Sequence, residues 1–326
     1  MPYSPEIYQA ATLLLERRRD EAEHIAERRR AEIYDAIPEI RETDGKLSME
    51  LSDISAALLR KGADTASVID EIRAQCSRMN ARRAELLKKN GYPENYLEPP
   101  YSCSKCSDTG RVDGVLCDCY KEVCRKLAAE ELDKSSGAAA CSFDNFSLNF
   151  YEDSGAQGAA NPRVMMTGIY NSCRNYAENF SGNSPSILMI GKTGLGKTHL
   201  SLSIAGEVIG KGFNAVYNSA QNIFTELNKE HFGRSDSSFS YEAMILDCDL
   251  LLIDDLGAEF STQFTNAALY NIINTRMNYS LPTIINTNLS LKEIEEKYTR
   301  RISSRIIGEY AVLDFFGYDV RQLKNE

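Results

Sequence analysis

The chain has 326 residues, of which 43% are hydrophobic and 26% charged, and its formal net charge at pH 7 is −10. This length suits about two domains. The acidic balance argues against a large surface that coats DNA permanently, although it permits a local basic groove. No run approaches the roughly 18 apolar residues that a membrane span needs, and the N-terminus lacks the apolar stretch of a signal peptide. We therefore predict a cytoplasmic protein that does not contact the membrane.

Residues 1–98 are predicted to form a helical region that binds a partner protein. Apolar residues recur at helical spacing from Glu6 to Ile37, which indicates a long amphipathic helix. Further helices are predicted from Ser48 to Arg60 and from an N-cap at Asp64 to Gly91. Two arginine triplets in the first helix are typical of a solvated helix face, with direct nucleic-acid contact as the alternative.

Residues 99–134 are predicted to form a zinc-binding segment and a short helix, Lys121 to Leu132, which a flexible joint follows. Five of the nine cysteines lie between Cys103 and Cys124, and in a reducing compartment such clustering indicates metal ligation rather than disulfides. A C-x₂-C knuckle lets two thiolates approach one zinc ion at about 2.3 Å, and a second pair follows an Asp113-Gly114 hairpin. Cys124 is an alternative to one member of the second pair. The predicted ligands of this closed structural site are Cys103, Cys106, Cys117 and Cys119.

The remaining domain, residues 141–326, is dominated by a buried strand, a glycine-rich turn and a helix between Ile187 and Leu200. The spacing of Gly191 from Gly196-Lys197-Thr198 is that of the P-loop. Glycines let backbone N–H groups turn toward phosphate oxygens, and the following helix adds the positive end of its dipole. We expect Lys197 to reach the β- and γ-phosphates and the Thr198 hydroxyl to bind Mg²⁺. The predicted binding residues are Gly191, Lys192, Thr193, Gly194, Leu195, Gly196, Lys197, Thr198 and His199.

Two further buried strands are predicted to end beside this loop. The first, Asp249 to Asp255, ends in two acids at the sheet edge where ligands bind. Asp254 is expected to hold Mg²⁺ through water and Asp255 to orient an attacking water. The second strand ends in Asn288, which is preferred to Asn286 as a contact of the γ-phosphate or the lytic water. The other elements predicted in this domain are a helix at 162–180, a strand at 213–217, a helix at 219–229 and a loop from Gly233.

A helix from Lys292 to Arg305 carries three arginines. An arginine offered to the γ-phosphate of a neighbouring subunit raises hydrolysis roughly 10³-fold or more in such enzymes. Arg305 is our candidate, whereas for Arg301 a salt bridge to nearby glutamates is an equal alternative. Two aromatic residues, Phe143 and Phe146, are predicted to pack the entrance of the domain or to wall an adenine pocket.

The segments Gly191–Leu200, Leu251–Glu259, Ile285–Leu289 and Arg301–Ile306 together resemble the AAA+ ATPases of the bacterial replicative helicase loaders, the DnaC/DnaI-like proteins. The resemblance covers roughly Cys141 to Arg321, and the cysteine knuckle is similar to that of loaders from Gram-positive bacteria and their phages. It implies an α/β AAA+ P-loop ATPase domain with a parallel sheet, preceded by the helical region and the zinc segment. ATP, Mg²⁺ and Zn²⁺ are the implied cofactors.

The resemblance also implies a division of labour. The helical and zinc parts would grip the replicative helicase hexamer, and the AAA+ part would bind ATP, self-associate and contact single-stranded DNA. Asp255 departs from the glutamate of most AAA+ proteins, and its shorter side chain predicts slow hydrolysis, as in an ATP/ADP switch. Little chain follows Arg305 to form the usual helical lid.

Other P-loop proteins fit the sequence less well. An IstB-like transposition helper ATPase would share the AAA+ half but not the cysteine knuckle, and it is our alternative. A metabolic kinase would need clustered arginines between Phe213 and Asp249, where only Arg234 occurs. A GTPase would need an [NT]-K-x-D motif to read its base, and the sequence contains none.

Overall fold

The computed structural model describes residues 3, 5–46, 49, 65–136, 141–153, 161–233 and 240–323. The chain divides into two compact units, one formed by residues 12–120 and the other by residues 1–11 together with 121–326. The predicted division at residues 98 and 134 stays a prediction. Within the described ranges, no helix is both long and apolar enough to cross a membrane.

The unit formed by residues 12–120 is mainly helical. It contains most of helix α1 (Pro5–Ala36), a helical stretch at 38–46, helix α2 (Thr65–Lys89) and a hairpin of β1 (Arg111–Val112) and β2 (Val115–Leu116). Its hydrophobic core comprises Ile33, Ile37, Ile40, Leu86, Leu87 and Leu97. The predicted helix from Ser48 to Arg60 lies outside the described residues.

The other unit is built around a parallel sheet of five strands. In chain order these are β3 (Ile187–Ile190), β4 (Ala215–Ser219), β5 (Leu250–Leu256), β6 (Thr283–Thr287) and β7 (Ala311–Asp314), and across the sheet they run β4-β5-β6-β3-β7. Strands β3, β5 and β6 are almost entirely buried, as expected for continuous apolar runs covered on both faces. The predicted α/β class with a parallel sheet is confirmed.

Helices flank the sheet and connect its parallel strands. They are α3 (Asp118–Ser136), α4 (Pro162–Glu178), α5 (Lys197–Gly210), α6 (Ala220–His231), α7 (Tyr241–Asp247), α8 (Gln263–Asn278), α9 (Leu291–Lys297), α10 (Arg300–Glu309) and α11 (Val320–Leu323). Two short 3₁₀ turns, Phe143–Asn145 and Leu148–Phe150, lead into α4. Because β3 and β6 are neighbours, the loops that follow them meet at one edge of the sheet.

The structure corrects three predicted elements. The helix predicted from Lys292 to Arg305 is broken, because Tyr298 and Thr299 are extended between α9 and α10. The strand predicted at 213–217 begins two residues later, because Phe213 packs edge-on against Phe180 with ring centroids 5.1 Å apart. Helix α3 is longer than predicted and includes Ser135 and Ser136, where a flexible joint was expected; residues 137–140 of that joint lie outside the described ranges.

Candidate nucleotide site

The turn between β3 and α5 has the backbone conformation that the P-loop pattern requires. Gly194 and Gly196 have φ angles of +80° and +88°, in the left-handed region that favours glycine. A Cβ atom at Gly196 would lie 2.8 Å from the Phe146 ring, and one at Gly194 would lie 1.8 Å from Asp319 Oδ1. Both glycines are therefore required by close packing as well as by dihedral angle.

The Lys197 ammonium lies inside this loop. It is 6% exposed, and it donates hydrogen bonds to the carbonyls of Gly191 at 2.7 Å and Lys192 at 2.8 Å. A third bond, also of 2.8 Å, reaches Asn288 Oδ1 at the end of β6. The structure thus joins two residues that the sequence separates by 91 positions. A positive charge held at the mouth of the loop can attract the terminal phosphates of a nucleotide.

The Asp254 carboxylate is 5% exposed and is held by three donors. The Thr198 hydroxyl lies 3.0 Å from Oδ2, Tyr217 donates to Oδ2 at 2.8 Å, and Asn286 Nδ2 donates to Oδ1 at 2.9 Å. Burial, together with the negative charge of Asp254, raises the pKa of Tyr217, so its hydroxyl remains a donor. A hydroxyl and a carboxylate in contact are the oxygen ligands that suit Mg²⁺. Asp254 and Thr198 could hold that ion directly or through water.

Asp255, next to the last residue of β5, has a strained backbone conformation. Its φ angle is +51°, and a turn is closed by the hydrogen bond of 3.1 Å from Ala258 N to its carbonyl. The pairing of β5 with β6 shifts register at this point. The Asp255 side chain is exposed at the sheet edge, with Asn288 Nδ2 3.5 Å from Oδ1. Asn288 therefore lies between the P-loop lysine and this carboxylate.

These residues line one cavity of about 510 Å³. Its other wall is aromatic, because Phe146 stacks on Tyr151 and Tyr170 and contacts the His199 ring edge-on at 5.2 Å. Tyr151 donates a hydrogen bond of 2.9 Å to the Leu195 carbonyl and so ties this wall to the P-loop. Phe143 is buried and packs beneath the wall instead of lining it. The two aromatic residues thus take different places, Phe146 at the cavity and Phe143 in the packing.

The segment after β7 closes the outer side of the P-loop. Val320 donates its backbone N–H to the Gly194 carbonyl at 3.0 Å, and its side chain lines the cavity. A side chain at Gly317 would meet the Tyr151 ring at 3.1 Å. The residues just before α11 therefore belong to the same packed wall as the aromatic cluster.

Arg305 lies on α10 and does not line this cavity. Its guanidinium lies 5.0 Å from the centroid of the Tyr270 ring, and it donates to the Arg301 carbonyl. Arg301 itself is exposed. The intramolecular position of Arg305 is compatible with a contact to a second copy of the chain.

Sequence reasoning missed Tyr217 and the bond from Asn286 to Asp254. A polar asparagine inside the buried strand β6 is a usable signal, because a buried amide needs partners. Tyr217 offers no such signal, since a tyrosine is ordinary in a strand and its hydroxyl meets Asp254 only because β4 pairs with β5.

A separate group of four cysteines forms a candidate metal centre. The sulfur atoms of Cys103, Cys106, Cys117 and Cys119 all lie within 4.8 Å of one another, and the turn between β1 and β2 has positive φ angles at Asp113 and Gly114. Sulfur ligands about 2.3 Å from a zinc ion are separated by similar distances, so the donor set fits zinc. The buried Asp108 carboxylate accepts the N–H groups of Ser102 and Cys103 and fixes the knuckle. Cys124 is fully buried, and burial raises its pKa to about 11.

Parts of the chain are similar to known proteins. Residues 175–315 match the family described as IstB-like ATP binding protein. The replicative helicase loader DnaC of Escherichia coli K12 is 27% identical over 169 residues, which are 51% of this chain and 62% of that protein. The replicative helicase loader DnaI of Bacillus subtilis 168 is 26% identical over 138 residues, 42% of this chain and 43% of that protein.

A crystal structure of DnaI superposes on 58% of this chain and 93% of its own, with a TM-score of 0.45 and 21% identity. In the sequence comparisons the chain spans less than two thirds of the length of these curated relatives. Those sequence matches confirm the predicted resemblance to the DnaC/DnaI-like proteins.

Proposed function

We propose that this chain, a relative of the DnaC/DnaI-like AAA+ helicase loaders, is itself an ATP-dependent loader of a replicative DNA helicase. The observation that carries the proposal is the contact of Lys197 with Asn288 inside the cavity. It supports the proposal because the Lys197 ammonium and the Asn288 amide, which follow neighbouring strands, lie close enough for one γ-phosphate to engage both. Binding of ATP would then change the contacts of Asn288, and loss of the γ-phosphate would restore them.

ATP and Mg²⁺ are the proposed ligands of this site. The P-loop N–H groups and Lys197 would hold the phosphates, Thr198 and Asp254 would hold the metal ion, and Phe146 would pack near the base. Asp255 would orient the attacking water. Its carboxylate is one methylene shorter than that of glutamate, which supports slow hydrolysis and a switch rather than a motor.

Self-association would complete the site. We propose that Arg305 of one subunit reaches the γ-phosphate bound by its neighbour, as arginine fingers do in related nucleotide hydrolases. Its packing on Tyr270 supports this role, because the ring holds the guanidinium without neutralising its charge. Arg301 stays an alternative, since it is exposed on the same helix.

The helical region and the cysteine centre are proposed to contact the helicase hexamer, with the zinc ion stabilising the segment that carries it. The proposal also includes contact of the AAA+ domain with single-stranded DNA. Helicase loading is favoured over a transposition helper because curated relatives such as DnaC and DnaI are named replicative helicase loaders.

Native mass spectrometry of the chain mixed with the replicative helicase of its host tests the proposal. We expect a complex whose stoichiometry differs between a non-hydrolysable ATP analogue and ADP. Lys197→Ala should abolish that difference, whereas Lys292→Ala, which removes an exposed lysine of α9, should preserve it. A helicase that binds in neither nucleotide state would refute the loader function.

A further inference from the structure

Glu259 is a buried acid that the proposed chemistry does not use. It lies four residues after Asp255, and its side chain is almost completely enclosed, at 5% exposure. One carboxylate oxygen accepts the backbone N–H of Gly257 at 2.7 Å. Gly257 lies inside the turn that the Ala258 N–H closes on the Asp255 carbonyl, and in which Asp255 has its positive φ angle. Glu259 thus holds the backbone two residues after Asp255.

The other carboxylate oxygen of Glu259 contacts residues at the end of α9. The Tyr298 hydroxyl donates to it at 2.5 Å, and the Lys297 ammonium lies 3.8 Å from it. Lys297 also donates to the Gly257 carbonyl. Burial and the hydrogen bond to Glu259 raise the pKa of Tyr298, which keeps its proton on the donor side of this contact. The turn after β5 is therefore bonded to the end of α9 through three groups.

Tyr298 is also where the helix predicted from Lys292 to Arg305 breaks. The extended residues Tyr298 and Thr299 separate α9 from α10, and α10 begins with Arg300. The hydroxyl contact with Glu259 holds the chain at this break. Tyr298 directly precedes Thr299, the N-cap of α10, so its contact with Glu259 lies next to the start of the helix that carries Arg305.

We propose that Glu259 is a positioning residue that couples the Asp255 turn of one nucleotide site to the arginine helix offered to the next subunit. The proposal deepens the proposed function and rests on it. A shift of the Asp255 turn, when the γ-phosphate is bound or lost, would be passed through the carboxylate to Tyr298 and from there to α10. One side chain would thus serve two sites.

A purely structural role predicts a different pattern of effects. A carboxylate that only stabilised the turn would influence folding, and any loss of hydrolysis would be confined to the subunit whose own Asp255 is disturbed. A coupling role predicts a loss also when the altered subunit supplies only its arginine. The two roles can therefore be separated by controlling which subunit carries the substitution.

Mixed oligomers provide that control. Arg305→Ala chains have intact nucleotide sites but cannot supply the arginine finger. Lys197→Ala chains supply the finger but have no working nucleotide site. Mixing the two should therefore restore ATP hydrolysis. Glu259→Gln is then added to one partner at a time. Glu295→Gln, the same change at an exposed glutamate of α9, is the matched control.

We expect Glu259→Gln in the finger-supplying chain to lower the regained kcat by tenfold or more, as roughly ångström-scale misplacement of a reacting group does, with KM for ATP unchanged. Glu259→Gln in the site-supplying chain should lower it as well, and Glu295→Gln should lower it in neither. Regained hydrolysis that is unaffected by Glu259→Gln in the finger-supplying chain would overturn the inference.

Two controls separate this outcome from other failures. If Glu259→Gln does not fold, Tyr298→Phe replaces it, since that change deletes only the hydroxyl that reaches the carboxylate; it should lower the regained kcat severalfold in the finger-supplying chain. If Arg305→Ala alone hydrolyses ATP as well as the parent, the shared site of the proposed function is refuted, and the coupling with it. If mixing restores ATP hydrolysis but Glu259→Gln lowers it only when the site-supplying chain carries the substitution, the coupling is refuted and the shared site is not.

Discussion

Arg276 offers a stringent test of how the sheet that carries the site is held together. It is fully buried on α8, and in the described part of the chain no carboxylate pairs with it. Its guanidinium instead donates to backbone carbonyls just before β5 and β6, and to the Thr283 hydroxyl. The carbonyls are those of Ile245, Leu246, Cys248 and Pro282. We predict that Arg276→Met strongly destabilises this unit.

The magnitude follows from the carbonyls that lose their donor. Pro282 also accepts the backbone N–H of Leu251, and the Leu246 carbonyl is only partly buried. The Ile245 carbonyl also accepts the Cys248 thiol at 3.6 Å and so keeps a donor. The Cys248 carbonyl lies in a buried bond and, within the described residues, accepts no second backbone N–H. A buried acceptor left without a partner costs about 1–3 kcal/mol, and we expect a loss of that size in the free energy of unfolding.

Urea unfolding followed by far-UV circular dichroism measures this loss, and tyrosine fluorescence gives a second probe because the chain has no tryptophan. The unfolding transition of the nucleotide-binding unit is identified as the one that added ATP moves to a higher urea concentration. Arg174→Met, which removes an exposed arginine paired with Glu178, should change the free energy by less than about 0.5 kcal/mol. A loss below about 1 kcal/mol for Arg276→Met would refute the accounting of unpaired carbonyls.

Three further outcomes are expected at the two sites. Gly194→Ala should weaken binding of a fluorescent ATP analogue about tenfold, because a side chain there is strained by roughly 1–2 kcal/mol and collides with Asp319. If the variant bound the analogue as tightly as the parent protein does, the P-loop geometry would be contradicted. Tyr217→Phe should raise the Mg²⁺ concentration needed for half-maximal hydrolysis severalfold, since the buried Asp254 carboxylate loses a hydrogen-bond donor worth roughly 1.5–3 kcal/mol. An unchanged Mg²⁺ dependence would argue against a role for the contact between Tyr217 and Asp254. Elemental analysis should find one zinc ion per chain in the parent and in Cys124→Ser but none in Cys103→Ser; zinc retained by the latter would exclude the four-cysteine centre.

Local pattern was enough to predict the elements that bring the phosphate-binding groups together. The P-loop and the two acids near the end of β5 are contiguous motifs, and the positions of buried strands follow from runs of apolar residues. Asn288 could be proposed as a contact of the γ-phosphate because it is a polar residue at the end of a buried apolar strand. Its distances to Lys197 and Asp255 could not, because they depend on β6 pairing with both β3 and β5.

The errors arose where long-range contacts overrule local preference. Residues 292–297 are helical as predicted, but the chain is extended at Tyr298 and Thr299, where the Tyr298 hydroxyl bonds Glu259, 39 positions earlier. Strand β4 begins late because Asn214 donates its N–H to Asp249 and Phe213 packs on Phe180, two residues past the end of α4. Neither partner can be found from the neighbouring sequence.

Strand β4 is an edge strand, and residues far from it in sequence line the cavity along it. Ile7 of α1 and Ala128 and Leu132 of α3 are buried, and they line this cavity together with residues 214–218, of which 215–218 are half-buried. A shortened protein that began at Cys141 would lose all three and present a bare, partly apolar strand edge to water. Such an edge pairs readily with other chains. Preparations of the ATPase region alone should therefore precipitate or self-associate unless the first helix and α3 are retained, and oligomers seen in such preparations would not report the native assembly.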